Sequence, residues 1–420
     1  MVDVANRRGY AEAKVSPVIE EAGVSRPTFY DYFSDRDDCF NATIEAVQSE
    51  LLARVQEAID AAPSREPLAV AVAALVQFAN VEPARARFLM SEAMAGGERS
   101  RGMRDGGIER IVATIAAAPA DARLQGHAPD LDARVVIGSV YRMIATRLRR
   151  GEASLATLAE ELMDWLAAYE RQTGRRRWQV LKPERAPART GEVPSMLIQQ
   201  MPTLFPPGRP RIPEEEIAEN HRLRILHAAA RLAAERGYTA TKIADITKLA
   251  RVDGSVFYRL FSDKQEAFAA AHELGFQQVM DITSKAFFAA EGWPQRSWEA
   301  GVALTQLLQA NPLAAYVGFV EAYAVGPTTV QRVQDSQVAF MFFLQEGLIY
   351  RDDIPLPSRV AMEAIIAAIF EIIYMEARRD GESRIAAMLP YIAHLWLTPF
   401  MGIDEADAFI AAHAKVHKAR

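Results

Sequence analysis

The stretch AGVSRPTFYDYFSDRDDCF, residues 22–40, decides how this chain is read, because ARVDGSVFYRLFSDKQEAF, residues 250–268, repeats it in register. The pair keeps Ala22/Ala250, Val24/Val252, Phe29/Phe257, Tyr30/Tyr258, Phe33/Phe261, Ser34/Ser262, Asp35/Asp263 and Phe40/Phe268, and basic Arg36 answers basic Lys264. Further along, LMSEAMAGG ending at Gly97 matches FVEAYAVG ending at Gly326, and RRGE ending at Glu152 matches RDGE ending at Glu382. A spacing this long, held across such distances, marks a duplicated domain rather than a solenoid unit.

A chain of 420 residues exceeds one ordinary core, and 50% apolar with 24% charged residues is globular composition. The one cysteine, Cys39, excludes a disulfide framework and any multi-thiolate metal site; its repeat partner Ala267 points to small-residue packing. Apolar runs such as Leu68 to Val76 are too short to span a bilayer, and no basic segment leads into a long hydrophobic stretch. These features predict a cytoplasmic protein without a membrane partner. A net charge of -6 argues against indiscriminate nucleic-acid binding, so charge is read locally.

Apart from a Pro- and Arg-rich stretch at 171–217, apolar residues recur with a period near 3.6, and no run alternates with period two. The expectation is an all-α fold in two tandem units. Its parts are a first head at 1–48, a first helical body at 49–170, a coil linker with a basic arm at 171–217, a second head at 218–272 and a second body at 273–420. In the second head a helix from Ile225 stops at Gly237, Thr241 caps the next, and a third places Phe257 and Phe261 on its inner side. In the first, Ser25 is the N-cap, Pro27 lies in the first turn, and Phe29 and Phe33 face inward.

With that architecture in place, GYAEAKVSPVIEEAGVSRPTFYDYFSDRDDCF resembles the helix-turn-helix head of TetR-family transcriptional regulators, and GYTATKIADITKLARVDGSVFYRLFSDKQEAF resembles a second. The resemblance implies DNA-binding heads on larger helical bodies that bind a small molecule and dimerise. It points to a ligand-responsive repressor, not an enzyme. The implied partners are double-stranded DNA and a small apolar effector, with no cofactor, assembled as an intrachain pseudo-dimer or a homodimer. The alternative is a TetR-fold ligand-sensing or protein-interaction module in which one or both heads no longer read DNA. A scattered set of seven histidines, with no nucleophile or glycine-rich phosphate loop, argues against catalysis, and His413 and His417 read as tail residues.

On the third helix of the first head, Ser25, Arg26, Thr28, Tyr30 and Tyr32 lie where DNA docks. Arg26 suits guanine, Thr28 a phosphate or a thymine methyl, and both tyrosines phosphates, with Arg36 as a backbone clamp. The second head offers Ser255, Val256, Tyr258, Arg259 and Lys264, with Lys242 as a further phosphate contact. From His221 to Phe268 basic residues outnumber acidic ones, whereas the first head is acid-rich, so charge favours the second. Arg209 and Arg211 precede the second head as a basic arm suited to a minor groove, or as plain solvated linker.

Three departures stand out: Arg251 replaces the turn glycine Gly23, Pro17 falls in the second helix, and Met1 aligns inside the first helix as though the first head were truncated. In the bodies, 131–150 and 152–169 match 359–379 and 382–397, the helix pairs with which such proteins dimerise. Glu92 and Glu321, at one repeat position within apolar helices, are candidate ligand contacts with Tyr141, Tyr323, Phe343 and Tyr374; core filling and ion pairing are the alternatives.

Overall fold

The computed structural model describes residues 1–420 except 119–126, 153–154, 173–174, 187–192, 206–211, 351–352 and 417–420. The first half runs through α1 (Val2–Arg8), a 3-10 turn (Tyr10–Glu12), α2 (Val15–Ala22), α3 (Arg26–Tyr32), α4 (Arg36–Ala61) and α5 (Pro67–Val81). It continues with α6 (Pro83–Ala95), α7 (Gly97–Ala117), α8 (Ala133–Arg149) and α9 (Leu158–Ala167). The second half contains α10 (Glu214–Arg236), α11 (Ile243–Ala250), α12 (Gly254–Leu260), α13 (Lys264–Phe288), α14 (Trp293–Ala310) and α15 (Pro312–Val325). It ends with α16 (Pro327–Phe340), α17 (Arg359–Ala377), α18 (Leu389–Met401) and α19 (Ile403–Val416).

The boundaries follow residue chemistry. Proline occupies the first turn of α3, α5 and α6, where its missing N–H is no loss. Gly9 and Gly237 end α1 and α10 at positive φ, 78° and 83°. Both α6 and α15 contain a π turn, Phe88–Glu92 and Val317–Glu321, each ending on its glutamate. No single helix among the described residues is long and apolar enough to cross a membrane.

The chain forms two compact units whose limits do not follow the repeat. Residues 1–184 are joined in the first unit by 337–372 and by the chain from 390 onward, while 185–336 and 373–389 form the second. The first unit therefore contains helices from both bodies. At its centre Glu371 of α17 is wholly buried and meets three arginines. Arg134 Nη1 lies 2.8 Å away, Arg142 Nε 2.7 Å, and Arg104 bonds both carboxylate oxygens at 3.3 and 3.4 Å. Burial alone would raise the carboxyl pKa, but the guanidiniums hold it well below its ordinary 4.5. Gly138 of α8 admits it: a Cβ there would lie 2.5 Å from the Glu371 Cδ.

The first unit also holds a short two-stranded antiparallel ribbon, β1 (His127–Pro129) with β2 (Glu170–Gln172), within the all-α fold that the sequence predicts. Three-residue strands are too short to show an alternating pattern. The ribbon leads into the expected linker. Arg177 and Trp178 donate backbone N–H to Asp130 Oδ1 at 2.8 and 2.6 Å, Leu181 N–H donates to Asp132, and the Trp178 ring lies 5.3 Å from that of Tyr391. This part of the expected coil is docked. Beside it, desolvation lowers the pKa of buried His394 to about 4, and its Nε2 lies 3.1 Å from the Asp130 carbonyl.

In the second unit Ile225, Leu226, Ile246, Phe257, Phe261 and Phe268 form one core, against which Met201 packs. Residues 193–205 are held there too: Met196 N–H donates to Asn311 Oδ1 at 2.8 Å, Asn311 Nδ2 donates to the Pro194 carbonyl at 3.1 Å, and Arg224 donates to the Pro202 carbonyl. The composition of the linker concealed this, because its anchors are backbone groups satisfied by distant side chains.

The buried carboxylate yields a pH prediction. A group whose folded pKa lies below its unfolded value contributes stability above the unfolded pKa and loses it as pH falls. For Glu371 that loss occurs below about 4.5, and for His394 between 6.5 and about 4. Glu371→Gln is expected to cost about 3–5 kcal/mol at neutral pH, by stranding buried guanidiniums, and to flatten the acid limb in chemical denaturation. Gly138→Ala is expected to cost about 1–3 kcal/mol through overpacking.

Candidate nucleic-acid interface

Each head is a three-helix core that turns one side of its third helix outward. In α3 Phe29 is buried, whereas Ser25, Arg26, Tyr30 and Tyr32 are exposed and Thr28 is half-buried. In α12 Phe257 and Phe261 are buried, Ser255, Tyr258 and Arg259 are exposed, and Val256 is half-buried. Lys242, just ahead of α11, is exposed as well. The Ser25 Oγ accepts from Thr28 N–H at 3.2 Å and lies 2.8 Å from the Thr28 hydroxyl, so both hydroxyls also serve the cap of α3. Arg209 and Arg211 lie outside the described residues.

The repeated Ser-Asp pair is a helix cap. Asp35 Oδ1 accepts from Asp38 N–H and Asp263 Oδ1 from Glu266 N–H, both at 2.8 Å. Asp38 and Glu266 reach back to the Ser34 and Ser262 N–H groups at 3.0 and 2.7 Å. The arrangement is a capping box whose return bond lands one residue ahead of the N-cap. It fixes where the long helices α4 and α13 begin under the two heads.

Arg36 and Lys264, expected as phosphate contacts, follow these caps, are half-buried and bond the carbonyls of the preceding turn. Arg36 Nη1 lies 3.4 and 3.3 Å from the Tyr10 and Ala11 carbonyls, Nη2 donates to the Tyr10 hydroxyl at 2.8 Å, and the guanidinium sits 4.3 Å from that ring centroid. Lys264 Nζ donates to the Tyr238 and Thr241 carbonyls, both at 3.0 Å, and is 4.3 Å from the Tyr238 ring centroid. Desolvation lowers the Lys264 pKa. The physical reason is local: the turn after the first head helix leaves carbonyls without helical partners, and the first cation of the next long helix satisfies them. Thr241 is likewise not the cap of α11. Its hydroxyl donates to the Gly237 carbonyl at 2.9 Å, and the N-cap position is Lys242.

Tyr10 and Tyr238 are the residues that sequence reasoning passed over, although Gly9-Tyr10 and Gly237-Tyr238 match across the repeat. Each ring packs edge-on against the matching phenylalanine, Phe40 or Phe268, with centroids 4.8 Å apart. Burial raises both phenol pKa values to about 12. The candidate ligand glutamates meet the same turns. Tyr238 N–H donates to Glu321 Oε2 at 2.9 Å, and the Tyr10 backbone N–H faces the Glu92 carboxylate and pulls its pKa down. Desolvation raises the Glu92 pKa against the opposing pull of Arg87 and Arg149.

Of the other ligand candidates, Tyr141 is buried beside Arg104 and Phe343 packs tilted against Phe340 in the first unit, while Tyr374, which accepts from Arg378, and Tyr323 are buried in the second. A cleft of about 760 Å³ in the second unit is lined by residues that include Gln199, Gln306, Gln309, Glu382 and Ser383. Among the described residues no group of three or more His, Cys, Asp or Glu side chains is arranged to hold a metal ion.

The helix-turn-helix turns differ between copies in one strained residue. Gly23 closes α2 in the left-handed region at φ 64°, and Arg251 closes α11 there at φ 53°. A side chain in that conformation costs about 1–2 kcal/mol, partly offset by the entropy a glycine would lose. Arg251→Gly is therefore expected to stabilise the second unit by about 0.5–1 kcal/mol, read as a rise in denaturation midpoint. Asp263→Ala, which removes a cap, is expected to lose about 1 kcal/mol in the same measurement.

Comparison with known proteins finds one family model that matches a segment in each head. The family model for bacterial regulatory proteins of the tetR family matches residues 2–43 and again residues 225–271. Among solved structures, the fatty acid degradation regulator FadR from Bacillus halodurans is similar at 18% identity, over 42% of this chain and 94% of that one, with a TM-score of 0.39. FadR from Bacillus subtilis, solved in complex with stearoyl-CoA, is similar at 17% identity over 43% and 98%, with a TM-score of 0.37. A regulatory protein in the tetR family from Rhodococcus RHA1 gives 20% over 46% and 95%, with a TM-score of 0.34. No curated protein matches the chain.

Proposed function

From a chain that carries two tetR-family reading heads in tandem, we propose a transcriptional repressor whose two non-identical heads read DNA as an intrachain pseudo-dimer and release it when a small effector binds. The observation that carries this reading is the outward face of α3 and α12. Each places an arginine and a tyrosine on the solvent side of a helix whose opposite side is locked by buried phenylalanine, the geometry a major groove requires.

Support for intrachain pairing comes from the first unit, where α8 of the first body and α17 of the second meet across Glu371. Two first-body surfaces brought together would set Arg104, Arg134 and Arg142 against one another without that carboxylate. The pairing therefore favours unlike halves. The effector is read as small and apolar, on the aromatic content of the second half, where Phe287, Trp293, Trp298, Phe340 and Phe370 are buried.

A second reading, a module in which the first head no longer reads DNA, is favoured by one observation. Arg36 is already partnered within the head, by the Tyr10 hydroxyl and by Asp37, while Asp31 and Asp35 stay exposed nearby.

Sequencing the fragments that the full-length protein retains from random DNA tests both readings. An asymmetric site with two unlike halves is expected, and retention of perfect palindromes alone would contradict intrachain pairing. Arg259→Ala is expected to weaken binding roughly ten- to hundredfold and relax one half-site, and Arg26→Ala to do so at the other. Unchanged selection with Arg26→Ala supports the module reading for the first head.

A further inference from the structure

Two glutamates occupy one position in both copies, and beside each a tyrosine turn has its N–H directed at the glutamate and its carbonyl at a cation. In the second copy, α10 ends at Gly237, and the next residue, Tyr238, gives its N–H to Glu321 of the body and its carbonyl to Lys264 at the start of α13. In the first, Gly9 ends α1, the Tyr10 backbone N–H faces the Glu92 carboxylate, and its carbonyl accepts from Arg36 at the start of α4. One peptide turn is thus clamped between the body and the long helix beneath the head. Both glutamates are nearly excluded from solvent, Glu321 at 1% exposure and Glu92 at 9%.

The second observation concerns the backbone that carries them. Each glutamate is the last residue of a π turn, Phe88–Glu92 or Val317–Glu321, inside a helix that is otherwise α. A π turn holds one residue more than an α turn, and such turns gather at functional sites. Loss of the extra residue from the turn rotates everything beyond it by about 100° around the helix axis, enough to swing a carboxylate away from a fixed N–H. A π turn and its α alternative are two discrete arrangements, the kind of element through which a signal is transmitted.

We propose that Glu92 and Glu321 are positioning residues: each fastens a reading head to its body, and the π turn beneath is the element whose conversion to α releases that head. The idea rests on the reading that the heads bind DNA, yet the fastening itself is separable from it.

The test is hydrogen exchange on the full-length protein and on Glu92→Ala, Glu321→Ala and Glu321→Gln, with binding measured on the DNA fragments that the unmodified protein selects. In Glu321→Ala, amides of 238–264 are expected to exchange roughly ten- to hundredfold faster while those of 293–310 keep their rate, and DNA affinity to fall to a similar extent. Glu92→Ala is expected to do the same to the first head alone. Glu321→Gln, whose amide oxygen can accept the same N–H, is expected to restore most of the protection. Should the alanine variant fail to fold, Glu321→Asp, which withdraws the oxygen by one methylene, is expected to give the same pattern more weakly. Head amides exchanging at the unmodified rate, or head and body accelerating together, would overturn the proposal. If the head amides accelerate as described but no DNA is retained by the unmodified protein, the fastening stands and the DNA reading fails.

Discussion

A carboxylate with no access to water governs the larger unit. Glu371 can stay ionised there only because Arg104, Arg134 and Arg142 surround it, and they can approach only because residue 138 has no side chain. Desolvation alone would expel such a charge at a cost of several kcal/mol, so each partner is tied to the others and none can be exchanged singly. Around this point α8 and α17 take their places, and the neighbouring contacts are of the same kind. Asp132 N–H donates to the Tyr391 hydroxyl, and the Tyr169 hydroxyl donates to the Leu395 carbonyl.

The heads are organised by a different economy, one of local backbone satisfaction. Serine, aspartate and the acidic residue three positions on close the start of α4 and α13, the first cation of the same helix collects the carbonyls of the preceding turn, and a body glutamate takes the remaining N–H. This explains why Ser34, Asp35 and the basic character of residue 36 persist in both copies while the exposed positions of α3 and α12, Tyr30 and Tyr258 apart, differ. The shared residues of the turn and cap build the platform, and the differing ones face outward from it.

What was legible in the sequence follows from that division. The register of the repeat, the all-α architecture, the buried Phe29 and Phe257 and the left-handed turn at residue 251 all rest on local periodicity and local chemistry, which a single chain displays directly. Arg36 and Lys264 were read as facing outward because a cation beside a reading helix ordinarily does. Only the position of the turn carbonyls, set by folding, turns them in. Glu92 and Glu321 stand out in the sequence as acids within apolar helices, but their partners lie over 80 residues away in the chain, beyond any local pattern. The Glu371 cluster left no signal at all. Its repeat counterpart near Tyr141 is aromatic, so the symmetry that served elsewhere pointed away from it.

Because Glu371 and the arginines that hold it belong to one polypeptide, their encounter is unimolecular. Two separate subunits joined by such a cluster would come apart on dilution, and their association would depend on how much protein a cell makes. Here the local concentration of each partner is set by chain connectivity alone. Occupancy of this contact is therefore independent of expression level, and a single molecule holds it as completely as a concentrated solution.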